Sequence, residues 1–117
     1  MNNGIANSEQ LLAQLIAFDT TSTTSNLELI DFVRNLLDDH GIAAQLVHND
    51  DRSRANLYAT IGPDDIGGVM LSGHTDVVPT TGQAWSSDPY RLHSRESAVA
   101  PPDSRSHASG DGHIGRR

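Results

Sequence analysis

Residues 25–62, SNLELIDFVRNLLDDHG followed by IAAQLVHNDDRSRANLYATIG, contain the change of period that decides the fold. In the first part Leu29, Ile30, Val33, Leu36 and Leu37 recur at helical spacing and form one apolar stripe. Ser25 with Glu28 three residues later has the pattern of a capping box, and Gly41 supplies the left-handed stop. Past Gly41 the period becomes two. Ile42, Ala44 and Leu46 share one face, and Ala55, Leu57, Ala59 and Ile61 share another after the polar turn Asn49-Asp50-Asp51-Arg52-Ser53. A helix followed by two strands is the expectation.

Upstream, Asn7 or Ser8 can cap a helix whose face is Leu11, Leu12, Leu15 and Ile16, ended by the polar run Asp19-Thr20-Thr21-Ser22-Thr23-Thr24. Downstream, Gly62-Pro63-Asp64-Asp65 breaks the second strand. Gly67-Gly68 then leads into Val69-Met70-Leu71-Ser72, a short apolar run that reads as a buried third strand. The predicted fold class is α/β: two helices, then three strands of an incomplete sheet. There is no internal repeat.

The chain has 117 residues and a net charge of -7, which suits one acidic domain and argues against nucleic-acid binding. All eight basic residues are arginine, and there is no cysteine, so any metal must be held by His, Asp or Glu. No apolar run approaches the roughly 20 residues of a membrane span, and MNNGIANSEQ lacks the pattern of a secretion signal. The expectation is a cytoplasmic protein without membrane partners. Composition breaks near residue 90: residues 1–90 hold twelve acids and three arginines, residues 91–117 three acids and five arginines. The second segment has few apolar positions and a Pro101-Pro102 interruption, so it reads as a disordered tail behind a domain of residues 1–90.

The residues suited to chemistry gather in Leu71-Ser72-Gly73-His74-Thr75-Asp76-Val77-Val78-Pro79. Residues two apart on an extended backbone lie on one side, so His74 can ligate a metal while Asp76 orients its ring. Gly73 would permit close approach, and Pro79 would stop the strand. By residue type alone, His-x-Asp is also an ordinary polar strand end. A Ser72 nucleophile with His74 as base has poor attack geometry and no third group. His40 and His48 sit at a helix end and a strand end, with His40 facing the helix dipole. Asp38-Asp39 and Asp64-Asp65 read as solvated surface, and Gly67-Gly68 as a turn.

Residues from about Leu11 to Tyr90 resemble the N-terminal part of the acetylornithine deacetylases, within the dinuclear-zinc amidohydrolases and peptidases. The stretches that carry the resemblance are LIAFDTTS, NLELIDFVRNLLDDHGI, ANLYATIG, LSGHTDVVP and GQAWSSDPY. It implies an α/β/α catalytic domain, a zinc or cobalt cofactor and a small N-acyl amino acid as substrate. It also implies His74 as a metal ligand, Asp76 as its orienting catalytic partner, and Trp85, Asp88 and Pro89 as shaping the substrate cleft. The same family includes succinyl-diaminopimelate desuccinylases, and its members are often homodimers through an inserted domain.

The resemblance stops there. The Gly-Arg-Gly-x-x-Asp-Met-Lys-Gly segment expected next is replaced by Asp103-Ser104-Arg105-Ser106-His107 and Gly110-Asp111-Gly112. The general-base glutamate, the other ligands and the dimerisation domain would lie beyond Arg117. The expectation is a truncated chain, inactive and unable to hold zinc alone. Its tail reads best as out-of-frame translation. The competing readings are a genuine segment of a non-catalytic binding module, and a substitute metal site of His93, His107, Asp111 and His113.

Overall fold

The strongest helix in the chain is made by its stripe, not by its cap. In the computed structural model, which describes residues 3–94, helix α1 is Asn3–Ile16 and helix α2 is Leu27–Asp39. Strands β1 (Ala44–His48) and β2 (Ala55–Ala59) come next. Leu29 and Ile30 are the buried residues of α2, and Val33 packs beside them, as the spacing predicts. The capping box does not form. Asn26 occupies the cap position with its side chain turned away to the backbone of Ala55, and no bond returns from Glu28. Ser25 Oγ instead accepts from the Leu27 N–H at 3.2 Å and donates to the Ser53 carbonyl at 2.6 Å. A tertiary bond has displaced the local one.

The other end of α2 closes as expected. Gly41 has φ +71°, and the Gly41 and Ile42 N–H groups donate to the carbonyls of Asp38 and Leu37, both at 2.9 Å. These are the paired bonds of a Schellman turn. His40 Nδ1 lies 2.8 Å from the Leu36 carbonyl, which places the ring over the negative end of the helix. At the other helix, α1 begins a turn ahead of the expected Asn7 or Ser8 cap. Leu11, Leu15 and Ile16 are half-buried on its inner face, while Leu12 is exposed.

Strands β1 and β2 pair antiparallel, with Ala44 opposite Ala59 and His48 opposite Ala55. Their half-buried positions alternate: Ala44, Leu46 and His48 on one strand, Leu57 and Ala59 with buried Ala55 on the other. The turn between them is held by Asn49, whose N–H and side chain both bond Arg54, and Arg52 takes a positive φ of 58°. The core is small: Leu29, Ile30 and Ala55 are buried, and Leu15, Phe18, Leu27, Val33, Leu46 and Leu57 pack around them. The Phe18 and Phe32 rings add a tilted contact at 5.6 Å between centroids.

The expected third strand is corrected by the structure. Val69, Met70 and Leu71 are 89%, 74% and 93% exposed, and the described residues contain only the two-stranded sheet. A strand buried on both faces needs a neighbour along each edge, and neither β1 nor β2 offers its free edge to this run. Ile61, expected to extend β2, is also exposed. The predicted disordered tail falls, from residue 95 onward, outside the described residues.

An exposed apolar segment with unpaired backbone groups is an association hazard. We expect the chain to self-associate at micromolar concentration, and the double substitution Val69→Lys with Leu71→Lys to raise the monomer fraction in sedimentation velocity. A wild-type chain that sediments as a monomer and melts in one sharp transition would contradict this.

Candidate functional site

The segment that holds His74 is tied to the rest of the molecule through the loop that ends α1. Val77 forms a single parallel bridge with Thr21: its N–H donates to the Thr20 carbonyl at 3.1 Å and its carbonyl accepts from the Ser22 N–H at 3.0 Å. Thr20 Oγ1 donates to the Thr75 carbonyl at 2.5 Å. Asn26 Nδ2 reaches Thr75 Oγ1 at 3.4 Å from the other side. Thr20 and Thr21 are themselves buried, the two polar residues to be so among the described residues. Buried hydroxyls are costly unless bonded, and both are bonded.

His74 and Asp76 come together as the two-residue spacing predicts. His74 Nδ1 lies 3.0 Å from Asp76 Oδ1 and 2.9 Å from the Asp76 carbonyl oxygen. The carbonyl can only accept, as can an ionised carboxylate, so Nδ1 carries a proton, and in the neutral ring Nε2 keeps its lone pair. That is the tautomer in which a histidine can ligate a metal through Nε2. Both side chains are solvent-facing, at 83% and 67% exposure. Gly73 departs from expectation: a Cβ placed there would meet nothing within 4 Å, so no close approach depends on it. The strand that was to carry Ser72 and His74 is likewise absent.

Beside the imidazole lies an open hollow of about 460 Å³. Its walls are mostly apolar: Leu15, Ile16 and Phe18 from the end of α1, Val33 from α2, and Val77, Val78 and Trp85 from the later chain. Trp85 and Pro89 thus line the hollow. Asp88 does not; its Oδ1 accepts from the Tyr90 N–H at 2.9 Å and its carbonyl from the Arg91 N–H at 3.2 Å, which makes it the pivot of a turn. That turn sets the position of Tyr90, which also lines the hollow.

One group here was not singled out as a site from the sequence. Asp19 Oδ1 accepts from the Thr21 hydroxyl at 2.6 Å, the Thr21 N–H at 3.0 Å and the Tyr90 hydroxyl at 3.0 Å. These bonds, led by the Thr21 hydroxyl, hold the Asp19 carboxyl below the usual carboxylate range. The signal was present in Asp-Thr-Thr-Ser, where an Asp two residues before a Thr marks a side-chain turn. Its partner Tyr90, 71 residues away, had no local signature. Of the residues proposed for a substitute metal site, His93 is exposed, while His107, Asp111 and His113 lie outside the described residues.

Sequence comparison identifies the relatives. The acetylornithine deacetylase of Proteus mirabilis is 36% identical over 94 residues, an alignment covering 74% of this chain and 24% of the relative. That of Pasteurella multocida is 36% identical over 90 residues, covering 71% and 23%. The Photorhabdus laumondii enzyme is 34% identical over 97 residues, covering 77% and 25%. No family model and no solved structure matches the chain. The chain is therefore an α/β homologue of deacetylases. The particular enzymes are the acetylornithine deacetylases, and the chain spans about a quarter of the length of these curated relatives.

The depressed Asp19 pKa fixes the sign of a pH effect. Bonds to the ionised carboxylate stabilise the folded arrangement fully above the ordinary Asp value of about 3.9, and that contribution is lost as pH falls through the lower folded value. We expect the Tyr90 ring signals in NMR spectra to stay constant from pH 7 to about 4, to move at lower pH, and to sit at their shifted positions already at pH 7 in Asp19→Ala. Signals that ignore both acid and the substitution would contradict the assignment.

Proposed function

We propose that this chain is part of a metal-dependent N-acyl-amino-acid deacylase of the acetylornithine deacetylase type, and that His74 is one of its metal ligands. The observation that carries the reading is the His74 ring, held by Asp76 with Nε2 free, in a chain that matches acetylornithine deacetylases at 36% identity. The reaction would be hydrolysis of the acetyl amide of N-acetylornithine to ornithine and acetate, with other N-acyl amino acids, such as succinyl-diaminopimelate, as alternatives.

A catalytic zinc takes about three protein ligands and leaves one position open. His74 fits as one of them; among the described residues no group of three or more candidate ligands assembles. Bound zinc or cobalt would supply a Lewis acid for the amide carbonyl and a water of lowered pKa. This chain's own residues do two things toward that chemistry. Asp76 keeps the proton on Nδ1, and the apolar hollow with Trp85 at its edge gives the carbon skeleton of a ligand a wall beside the ring. The remaining ligands and the general base would belong to the three quarters of the relatives' length that the chain does not span. We assign residues 91–117 as out-of-frame translation, which a reading of the coding DNA in all three frames checks. The reading includes a cytoplasmic location; among the described residues no helix is long and apolar enough to cross a membrane.

A second reading is favoured by one observation, the exposed run Val69 to Leu71. In it the chain is a non-catalytic module that pairs with a full-length deacetylase.

The chain alone is expected to show no turnover of N-acetylornithine with added zinc or cobalt, and to bind zinc no more tightly than His74→Ala in calorimetry. A chimera carrying residues 1–90 in place of the matching segment of the Proteus mirabilis enzyme is expected to hydrolyse N-acetylornithine. In that chimera His74→Ala should abolish activity, and Asp76→Asn should lower it by about 10- to 100-fold. Turnover by the isolated chain would overturn the incompleteness, and a chimera indifferent to His74→Ala would overturn the ligand assignment.

A further inference from the structure

We propose that Thr20 is the positioning residue of the His74–Asp76 pair, acting through the backbone that joins them. The inference deepens the proposed function and rests on it only where it calls His74 a metal ligand.

Two side chains that face solvent at 83% and 67% exposure cannot be held in place by packing. Their mutual bond fixes the ring relative to the carboxylate, but not the pair relative to the molecule. What fixes the pair is the backbone of Thr75 and Val77. The Thr75 carbonyl, the polar backbone atom midway between His74 and Asp76, accepts the Thr20 hydroxyl at 2.5 Å. The next bonds along are those of Val77 with Thr20 and Ser22. The Thr20 hydroxyl, from a buried residue of the α1–α2 loop, is therefore the backbone contact that falls between the two residues, while Asn26 Nδ2 reaches only the Thr75 side chain at 3.4 Å.

The choice of residue supports this. At 6% exposure Thr20 occupies a position where valine, of the same shape, would bury a methyl in place of a hydroxyl. A valine there would leave the Thr75 carbonyl without its partner, and that carbonyl belongs to the peptide whose orientation sets the path of the chain from His74 to Asp76. The bond acts across 55 residues of sequence, so it is not a local turn that would form in the unfolded chain. Around it, Asp19 restrains the same loop through the 2.6 Å bond it accepts from the Thr21 hydroxyl.

The test uses the full chain at pH 8 with no metal present. The ratio of Nδ1–H to Nε2–H tautomers of His74 is read from its ring nitrogen chemical shifts, and amide hydrogen exchange of Val77 is measured in the same samples. In the wild type the Nδ1–H form should dominate. Thr20→Val should lower the Nδ1–H to Nε2–H ratio by about 3- to 10-fold, the effect of losing one hydrogen bond, and Thr20→Ser should restore it. A ratio that Thr20→Val leaves unchanged overturns the proposal, whether or not Val77 exchange quickens, because the bond would then be purely structural. If Thr20→Val and Thr20→Ala both fail to fold while Thr20→Ser folds, the hydroxyl holds the domain and not the pair, and the proposal is again overturned.

Zinc chloride added afterwards separates this from the metal assignment. A tautomer ratio that tracks Thr20, in a chain whose His74 signals do not respond to zinc even in the chimera with the Proteus mirabilis enzyme, supports the positioning role and removes the ligand role.

Discussion

Thr21 and Val77 face each other across a single parallel bridge, and everything this molecule could do chemically depends on that short pairing. On one side of it stands the core cluster of the described residues, α2 against the β1–β2 hairpin with the end of α1 alongside. On its other side stand His74, Asp76, Trp85 and Tyr90, none of which lies on a helix or a strand. Residues 63–73 between the two parts are exposed throughout and impose no position on His74 or the residues after it. Two backbone bonds at the bridge, the Thr20 hydroxyl and the Asn26 amide on Thr75, and the Tyr90 hydroxyl with Asp19 and Thr21 are therefore the hydrogen bonds that connect scaffold and site. Asn26 strengthens its scaffold side by bonding both backbone groups of Ala55, a buried residue of β2.

A junction of hydrogen bonds has different physics from a junction of packed side chains. Each net bond contributes about 0.5 to 1.5 kcal/mol, and a fully buried Leu or Ile about 1.5 to 3 kcal/mol. With Leu29 and Ile30 as the large buried hydrophobics, the described chain has little apolar burial with which to resist loss of a bond. Direction compensates in part. The bonds at Thr20, Ser22 and Asp19 have specific donors and acceptors, so they select one register of residues 75–77 against the loop where an apolar contact would tolerate slippage.

How much of this was legible in the sequence depends on where each signal lies. The α2 stripe, the Gly41 stop and the alternation of β1 and β2 are local periods, and each reads directly from neighbouring residues. The pairing of His74 with Asp76 was legible for the same reason, since an extended backbone puts residues two apart on one side. The capping box at Ser25 and Glu28 does not form because both flanking polar residues have better partners far away, at Ser53 and Ala55. The run Val69 to Ser72 is no strand because a strand is defined by its neighbours, and its sequence states only that it is apolar. Asp19 to Ser22 looks like a helix terminator, which it is; that the same residues grip Val77 and Tyr90 is a statement about segments 55 to 71 residues apart, with no local trace.

The site also divides its tasks in an instructive way. A metal ligand needs a fixed tautomer, a fixed place and a dry, low-dielectric surround, and these have separate physical origins. With His74 as the proposed ligand, Asp76 would supply the tautomer and the Thr20 to Ser22 loop the place. The third is not supplied: His74 is 83% exposed, and the hollow beside it is open. Orientation is thus built from local and loop contacts, while exclusion of water requires more surface than these residues provide. In a chain spanning a quarter of its deacetylase relatives, that division locates what the remaining three quarters would have to contribute. On the proposed reading these would be further ligands and a cover for the exposed imidazole and for the exposed Val69 to Leu71 run, which leads through Ser72 and Gly73 into it. Covering that run with a strand would also press Gly73 and His74 into an extended path, so the same contact that removes the aggregation hazard would stiffen the site from the side that Thr20 does not reach.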